Sequence, residues 1–371
     1  MTTGLKASGA AMLLALSVHP STHQAVEEHG GAAPKPKISS STFETRALSG
    51  TLASEAVALG RREDGPIWAG YAVPEVAGRR RMCCWDSIRT MDSSGGCCGR
   101  CSLEKDRGFS VSTNDDANVR LEPSGYFHVL LKIGRKGIAE IRTFSEGCEL
   151  DAGKRPFIWL TGVDPDQSLD WLAQLAEGAA DQDDDMSSSA ITAIAMHAGT
   201  RADRLLERFA SSGHPSGVRE QAIFWMGQAR GRAGYDVVSR IAREDPSIEI
   251  RKKAIFSISQ TEVSEAVETL IRFARDDRSA EIREEALFWL AQKAGQRAVK
   301  TLTDALQDDP EIEVRKKAVF ALSQLPTEEG VPLLIDVARK HRNPEVRKEA
   351  IFWLGQSGDP RALELIEEIL K

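Results

Sequence analysis

From Val218 onward, apolar residues recur at helical spacing, and the helix that carries them recurs every 32 residues. Its five copies open on Val218-Arg219, Ile250-Arg251, Ile282-Arg283, Val314-Arg315 and Val346-Arg347. Ala222, Ala254, Ala286, Ala318 and Ala350 hold one position in each copy, and Phe224, Phe256, Phe288, Phe320 and Phe352 hold another. Gln228, Gln260, Gln292, Gln324 and Gln356 complete the pattern. At about 100° of rotation per residue, Ile282, Ala286, Trp289 and Leu290 share a face, which is expected to be the packed one. A second stripe lies between copies, as in Val267, Leu270 and Ile271 or Val299, Leu302 and Leu306. Each unit therefore predicts two amphipathic helices that bury their apolar faces only against neighbouring units. One period upstream, Met186 takes the place of Val218, and Ala190, Ile191 and Ile194 match Ala222, Ile223 and Met226. Residues 186–213 thus read as a degenerate terminal repeat, which gives six repeats in an elongated α-solenoid.

The region before the repeats follows a different rhythm, with short apolar segments broken by Gly and Pro. Ile67 to Val73 reads as a strand ending at Pro74. Tyr126 to Ile133 and Ile138 to Phe144, joined by Gly134-Arg135-Lys136-Gly137, read as a β-hairpin, and Phe157 to Val163 as a further strand. Asp164 is placed to cap a helix with Pro165 in its first turn and Leu169, Leu172, Leu175 and Ala176 as its stripe. The expected fold is α+β overall: a C-terminal all-α solenoid of about six helix pairs, preceded by a small β-rich domain containing the cysteines. The expected boundaries are 1–25 for a signal peptide, 26–41 for a flexible linker, 42–163 for the β-rich domain, 164–181 for a linking helix and 182–371 for the solenoid.

The repeated turns sharpen the reading. Asp245-Pro246, Asp277, Asp309-Pro310 and Asn343-Pro344 precede the repeated helix and supply its start. Helix–turn–helix units of this length, with a turn such as Asp309 to Arg315, resemble the HEAT family in its short bacterial form. The resemblance covers about half the chain and implies that the repeated helix lines a concave surface. On that arrangement the Phe and Gln rows form a ladder suited to an extended peptide or a partner's helix. The competing arrangement packs each Phe between successive repeats and bonds each Gln to a neighbouring turn. Trp225, Trp289 and Trp353 recur in every second copy with Ser257 and Ala321 between them, an alternation that reads as core packing. Arg251-Lys252-Lys253 and Arg315-Lys316-Lys317 alternate with Glu284-Glu285, so opposite charges are expected to face each other across repeats.

Two enzyme families share such repeats. Deoxyhypusine hydroxylase holds iron through His-Glu pairs, whereas His128, His197, His214 and His341 of this chain each lack an adjacent Glu. Bilin lyases resemble it in the repeats alone, and no catalytic residue carries over from them. The chain contains no Gly-x-Ser-x-Gly elbow, P-loop or His-Glu-x-x-His. Asp164, Asp166 and Asp170 lack the Gly and distal Glu of a calcium loop. Arg79-Arg80-Arg81 reads as a solvated loop.

The net charge of −7 argues against nonspecific DNA or anionic-membrane binding, and no apolar run is long enough to span a bilayer. Lys6 followed by the apolar stretch Ala10 to Val18 resembles a secretory signal. Cys83, Cys84, Cys97, Cys98, Cys101 and Cys148 all precede the repeats, and an even, clustered set suits a disulfide framework in an exported protein. Cys98-Gly-Arg-Cys101 has the spacing of a zinc or redox pair, but the adjacent cysteine pairs fit a tetrahedral site poorly. The sequence therefore predicts a noncatalytic scaffold, periplasmic or secreted, that binds another protein or peptide along its concave face without cofactor or metal. The alternatives are a cytoplasmic location and an enzyme or enzyme subunit of bilin-lyase or thiol-redox type.

Overall fold

The structure, a computed structural model, describes residues 34–61, 65–77, 96–98, 101–104, 118–120, 125–179 and 184–370. The signal-like stretch, Arg79-Arg80-Arg81, Cys83 and Cys84 lie outside the described residues, as do the side chains of Cys97, Cys98 and Cys101.

The chain begins with β1 (Lys37–Ser39), β2 (Phe43–Ala47), α1 (Leu52–Gly60), β3 (Ile67–Pro74), β4 (Gly96–Cys98), β5 (Cys101–Ser102) and β6 (Asn118–Arg120). It continues through β7 (Tyr126–Gly134), β8 (Gly137–Ser145), β9 (Glu149–Asp151) and β10 (Phe157–Thr161). The main sheet has the order β2-β10-β3-β7-β8, parallel on both sides of β10 and antiparallel from β3 to β8. The expected hairpin is β7–β8, with its turn shortened to Arg135-Lys136 because Gly134 pairs with Gly137.

Two elements depart from the expectation. Lys37–Ser39, assigned to the linker, pairs with β9 in a second, parallel sheet of order β1-β9-β5. A three-residue strand with a single apolar side chain, Ile38, is held by ladder hydrogen bonds and leaves no periodic signature. Helix α1 was also not anticipated. Thr51 and Ser54 form a reciprocal capping box at its start, and Leu52, Ala56 and Leu59 are buried.

Side chains of the main sheet alternate between two cores. Ile67, Ala69, Tyr71 and Val73 join Phe127, Val129 and Leu131 in a core that runs on through α1 and into the helices. Trp68, Leu130, Phe144, Phe157 and Trp159 build a separate cluster on the opposite face, with Cys148 buried among them. Helix α2 (Pro165–Ala179), capped by Asp164 through the Asp166 and Gln167 amides, and α3 (Asp184–Met196) pack along each other. Strand β8 also meets α3. The sheet and α2 thus occupy the place of a preceding repeat, and packing is continuous across the expected boundaries at 163/164 and 181/182.

A buried chain of hydrogen bonds joins these elements. The Tyr71 hydroxyl lies 2.9 Å from Ser168 Oγ, which lies 2.9 Å from His197 Nε2, and His197 Nδ1 is 2.8 Å from the Ala193 carbonyl. Nδ1 faces a carbonyl and must donate, so Nε2 accepts the Ser168 proton and Ser168 accepts from Tyr71. A serine beside a histidine evokes a nucleophile, but all three side chains are sealed from solvent. This arrangement ties the sheet to the solenoid.

The array itself pairs α3 with α4 (Thr200–Ala210), α5 (Ser216–Ala229) with α6 (Gly231–Glu244) and α7 (Ile248–Gln260) with α8 (Ala266–Asp276). It ends with α9 (Ala280–Ala294) and α10 (Val299–Asp308), α11 (Ile312–Ser323) and α12 (Thr327–Lys340), and α13 (Pro344–Ser357) and α14 (Pro360–Leu370). These are the six expected repeats. The Arg of one repeat grips the turn that starts the next: Arg219 pairs with Asp245, Arg251 with Asp277, and Arg283 with Asp309 at 2.7 Å. Each Asp also accepts a backbone N–H two residues on, from Ser247, Ser279 and Glu311. At the next station the sequence has His341, whose Nδ1 accepts from the Asn343 amide at 3.1 Å but offers nothing to Arg315, which donates instead to the Asp309 carbonyl. Replacing His341 by Asp is expected to restore the missing rung and add about 1–3 kcal/mol, the range of a charge-assisted hydrogen bond. An unchanged or lower thermal midpoint for this variant would argue against the ladder as a stabilising device.

Candidate recognition surface

The repeated helices α3, α5, α7, α9, α11 and α13 pack closely on one another along the array, whereas their partner helices barely touch. The repeated helices form the tighter of the two layers, termed the inner layer. At Gly227 the approach is so close that a Cβ would stand 2.5 Å from the Ser257 carbonyl oxygen.

On this inner layer the five phenylalanines neither stand free nor disappear into the core. Phe224, Phe256, Phe288 and Phe320 are half-buried, and Phe352 is 54% exposed. Phe224 stacks on Phe256 with centroids 6.2 Å apart, and Phe288 on Phe320 at 5.7 Å. The tryptophans close the gaps between these pairs: Phe256 meets Trp289 at 4.7 Å, and Phe320 meets Trp353 at 4.7 Å. The result is one continuous ridge of rings from Trp225 to Phe352.

Here the structure corrects the helical projection. Trp225 is buried and donates its indole N–H to Thr192 Oγ1 at 3.0 Å, but Trp289 and Trp353 are only half-buried. Those two donate to Glu285 and Glu349, one turn earlier on their own helices, which fixes the rings at the rim. The large-and-small alternation therefore serves the ridge as well as the core.

Opposite charges do meet across repeats, though the acids are Glu220 and Glu281 and not the expected Glu284-Glu285. Lys253 pairs with Glu220 at 3.1 Å and Lys252 with Glu281 at 3.0 Å. Lys317 Nζ sits 5.2 Å and 5.0 Å from the Phe288 and Phe320 ring centroids. Burial holds the Glu284 carboxyl above its ordinary range, and the Lys317 charge opposes that shift.

The glutamines run beside the ridge at the C-terminal ends of the inner helices. Gln228 donates to Gln260 at 3.3 Å, while Gln292, Gln324 and Gln356 are exposed. Two clefts open along this row. One, of about 160 Å³, lies among Glu75, Val76, Met196, Gln228, Gln260 and Glu262. The other, of about 260 Å³, includes Gln324, Gln356, Trp353 and Ser357. The segment after β3 forms one wall of the first cleft and is held there by hydrogen bonds from the Val76 amide to the Met196 carbonyl and from the Ala198 amide to the Pro74 carbonyl. Sequence reasoning missed these walls. The only local signal was the variable residue after each Gln, which is Ala229, Thr261, Lys293, Leu325 and Ser357 in turn.

Among the described residues, no group of His, Cys, Asp and Glu is arranged to hold a metal ion, and no helix is long and apolar enough to cross a membrane. Burial pushes the Cys148 thiol up to about 12, which disfavours thiolate chemistry at that position.

Comparison with curated proteins finds none that matches this chain. Among solved structures, Escherichia coli YibA is 24% identical, with 56% of this chain and 78% of that one covered, at a TM-score of 0.36. The CpcE–CpcF complex of the Nostoc phycocyanin lyase is 20% identical, covering 42% and 97%, at 0.31. Human deoxyhypusine hydroxylase is 19% identical, covering 54% and 77%, at 0.25. The pattern of the family described as HEAT repeats matches residues 235–314 and again 299–371. The solenoid of this chain is thus built of HEAT repeats from residue 235 to its C-terminal end.

Proposed function

We propose that this protein is a noncatalytic recognition scaffold that binds a segment of a partner protein along the inner layer of its solenoid. The observation that supports this reading most directly is the ridge of eight rings in successive contact, flanked by glutamine amides. Lys252 and Lys253 beside it are already paired with Glu281 and Glu220, so the surface offers mainly apolar area and hydrogen bonds. The rings are held by their neighbours before any partner arrives, which reduces the entropy lost on binding. We place the protein in the periplasm or outside the cell, on the strength of the apolar stretch Ala10 to Val18 and the clustered cysteines.

A photo-reactive residue at Phe288 of the full-length protein is expected to cross-link one partner in the native host, and the same residue at the outward-facing Lys300 to cross-link none. Equal labelling from both positions, or none from Phe288, would count against the surface. Since the rings pack on each other, changing Phe256, Phe288 and Phe320 together to Ser is expected to lower stability as well as binding. The separating variant is Phe352→Ser, whose exposed ring contributes little to packing.

A further inference from the structure

Two helix ends of the inner layer, two periods apart, are built alike: Ser259-Gln260-Thr261 after α7 and Ser323-Gln324-Leu325 after α11. Ser259 Oγ donates to the Phe256 carbonyl at 2.6 Å, and Ser323 Oγ to the Phe320 carbonyl at 2.7 Å. Gln260 Nε2 donates to Ser259 Oγ at 3.0 Å, and Gln324 Nε2 to Ser323 Oγ at 3.1 Å. The Thr261 amide bonds the Ile258 carbonyl and the Leu325 amide the Leu322 carbonyl, each at 3.3 Å. Thr261 is extended. Leu325 precedes Pro326, whose ring drives it to the same conformation. The two ends therefore present their last carbonyls alike. No such pair arises at the first cleft, where α5 runs on through Ala229.

Where the third and fourth repeats meet, these carbonyls hold one of the protein's own side chains. Lys293 Nζ donates to the Ser259 carbonyl at 2.8 Å and to the Thr261 carbonyl at 2.7 Å. A helix leaves acceptors unsatisfied at its C-terminal end, and its dipole favours a cation there. Where the fifth and sixth repeats meet, the counterparts are the carbonyls of Ser323 and Leu325, and Ser357 stands at the lysine's position. All three residues line the cleft of about 260 Å³. Ser357 Oγ donates back to the Leu354 carbonyl of its own helix at 2.7 Å, so it does not reach across. The cleft thus keeps the acceptors of the Lys293 junction without its ammonium group. Val331 and Leu334 add apolar wall for a methylene stem, and Trp353 adds a ring that attracts a cation.

We propose that the cleft between the fifth and sixth repeats receives the ammonium group of a lysine side chain from a partner protein. A compact, three-donor ammonium on a slender stem matches the Lys293 precedent, whereas the planar fork of arginine does not. This goes beyond the aromatic-ridge reading and stands even if the ridge binds nothing.

The test uses the full-length protein labelled with 5-fluorotryptophan, the Trp353 resonance being assigned with Trp353→Phe. The probe is a short blocked peptide carrying a single lysine, compared with the same peptide bearing Nε-acetyl-lysine. Saturable movement of the Trp353 resonance is expected with the lysine peptide, and affinity about tenfold lower with the acetylated one, which loses the charge. Ser357→Lys is expected to abolish binding by filling the cleft as Lys293 fills its own junction, and Ser357→Ala to leave it unchanged. Lys293→Ser is expected to open the equivalent cleft, so that the Trp289 resonance moves as well. The proposal is overturned if Trp353 does not move at millimolar peptide or if both peptides bind equally. It also fails if folded Ser357→Lys binds as the parent does, or if Trp289 stays unmoved in folded Lys293→Ser.

Discussion

Replacing Asp309 by alanine is expected to remove about 3–5 kcal/mol of stability, because it leaves a buried guanidinium without its partner. The side chains of Arg283 and Asp309 are only 9% and 6% exposed and meet through two hydrogen bonds, at 2.7 and 2.9 Å. The same substitution also removes the acceptor of the Glu311 amide, at the start of α11. An exposed pair such as Lys300–Asp304 makes a useful contrast, since breaking it is expected to change stability by no more than about 0.5 kcal/mol. Denaturant unfolding of the two variants compares them directly. In the double variant Arg283→Met, Asp309→Leu, much of the loss is expected to return, because no buried charge is left alone. A loss below about 1 kcal/mol for Asp309→Ala would mean that the ladder merely accompanies the stack.

The second large effect concerns acid. Burial pushes His197 down to about 4, with the Arg230 guanidinium, which donates to the His197 carbonyl, acting in the same direction. Burial likewise lowers His128 to about 4. Unfolded, each ring takes its proton near 6.5, so between about pH 6.5 and 4 the unfolded chain binds more protons than the folded one. Stability therefore falls as pH falls through that window, by about 1.4 kcal/mol per pH unit for each group, and neither contributes further loss below about 4. Each histidine thus accounts for about 3 kcal/mol across the window. Urea unfolding between pH 7 and 4 measures the slope, and His197→Gln is expected to lose its share of it. An identical slope in that variant would show that other groups carry the acid sensitivity. For His197 the loss falls on the junction between sheet and solenoid, because its ring is part of the Tyr71–Ser168 chain.

Much of the architecture was legible because a one-dimensional array repeats its constraints. Five copies of one helix announce the repeat, and the match at Ala190, Ile191 and Ile194 locates the degenerate first unit. Another periodic row went unread: Ala202, Gly234, Ala266, Ala298, Gly330 and Ala362 begin the partner helices and are all buried. A Cβ at Gly234 would stand 2.0 Å from the Met226 carbonyl oxygen, and one at Gly330 2.5 Å from that of Leu322. These contacts explain the two glycines of the row, while the other four positions accommodate the single methyl of alanine. The charge alternation was legible only in part: Lys252 and Lys253 pair with acidic residues of neighbouring repeats, but with Glu281 and Glu220 in place of Glu284 and Glu285.

The candidate surface was less legible. Helical projection places Trp289 with Leu290 and Ala286, but it cannot say how far a ring reaches past its own helix. Phe256 from the neighbouring repeat meets Trp289 and keeps it at the rim. The first cleft depended on Glu75 and Val76, more than a hundred residues from Gln228 in sequence, so no local pattern could place them together. Periodicity alone determined that this protein stacks paired helices and which residues share a row, because side-chain direction within a helix follows from position. Only the tertiary structure decided that a β-sheet closes the first repeat, that the rings form one ridge and that one junction between repeats is filled by a lysine while another stands open. Those outcomes depend on distances between separate elements, which are set by packing and not by any single segment of the chain.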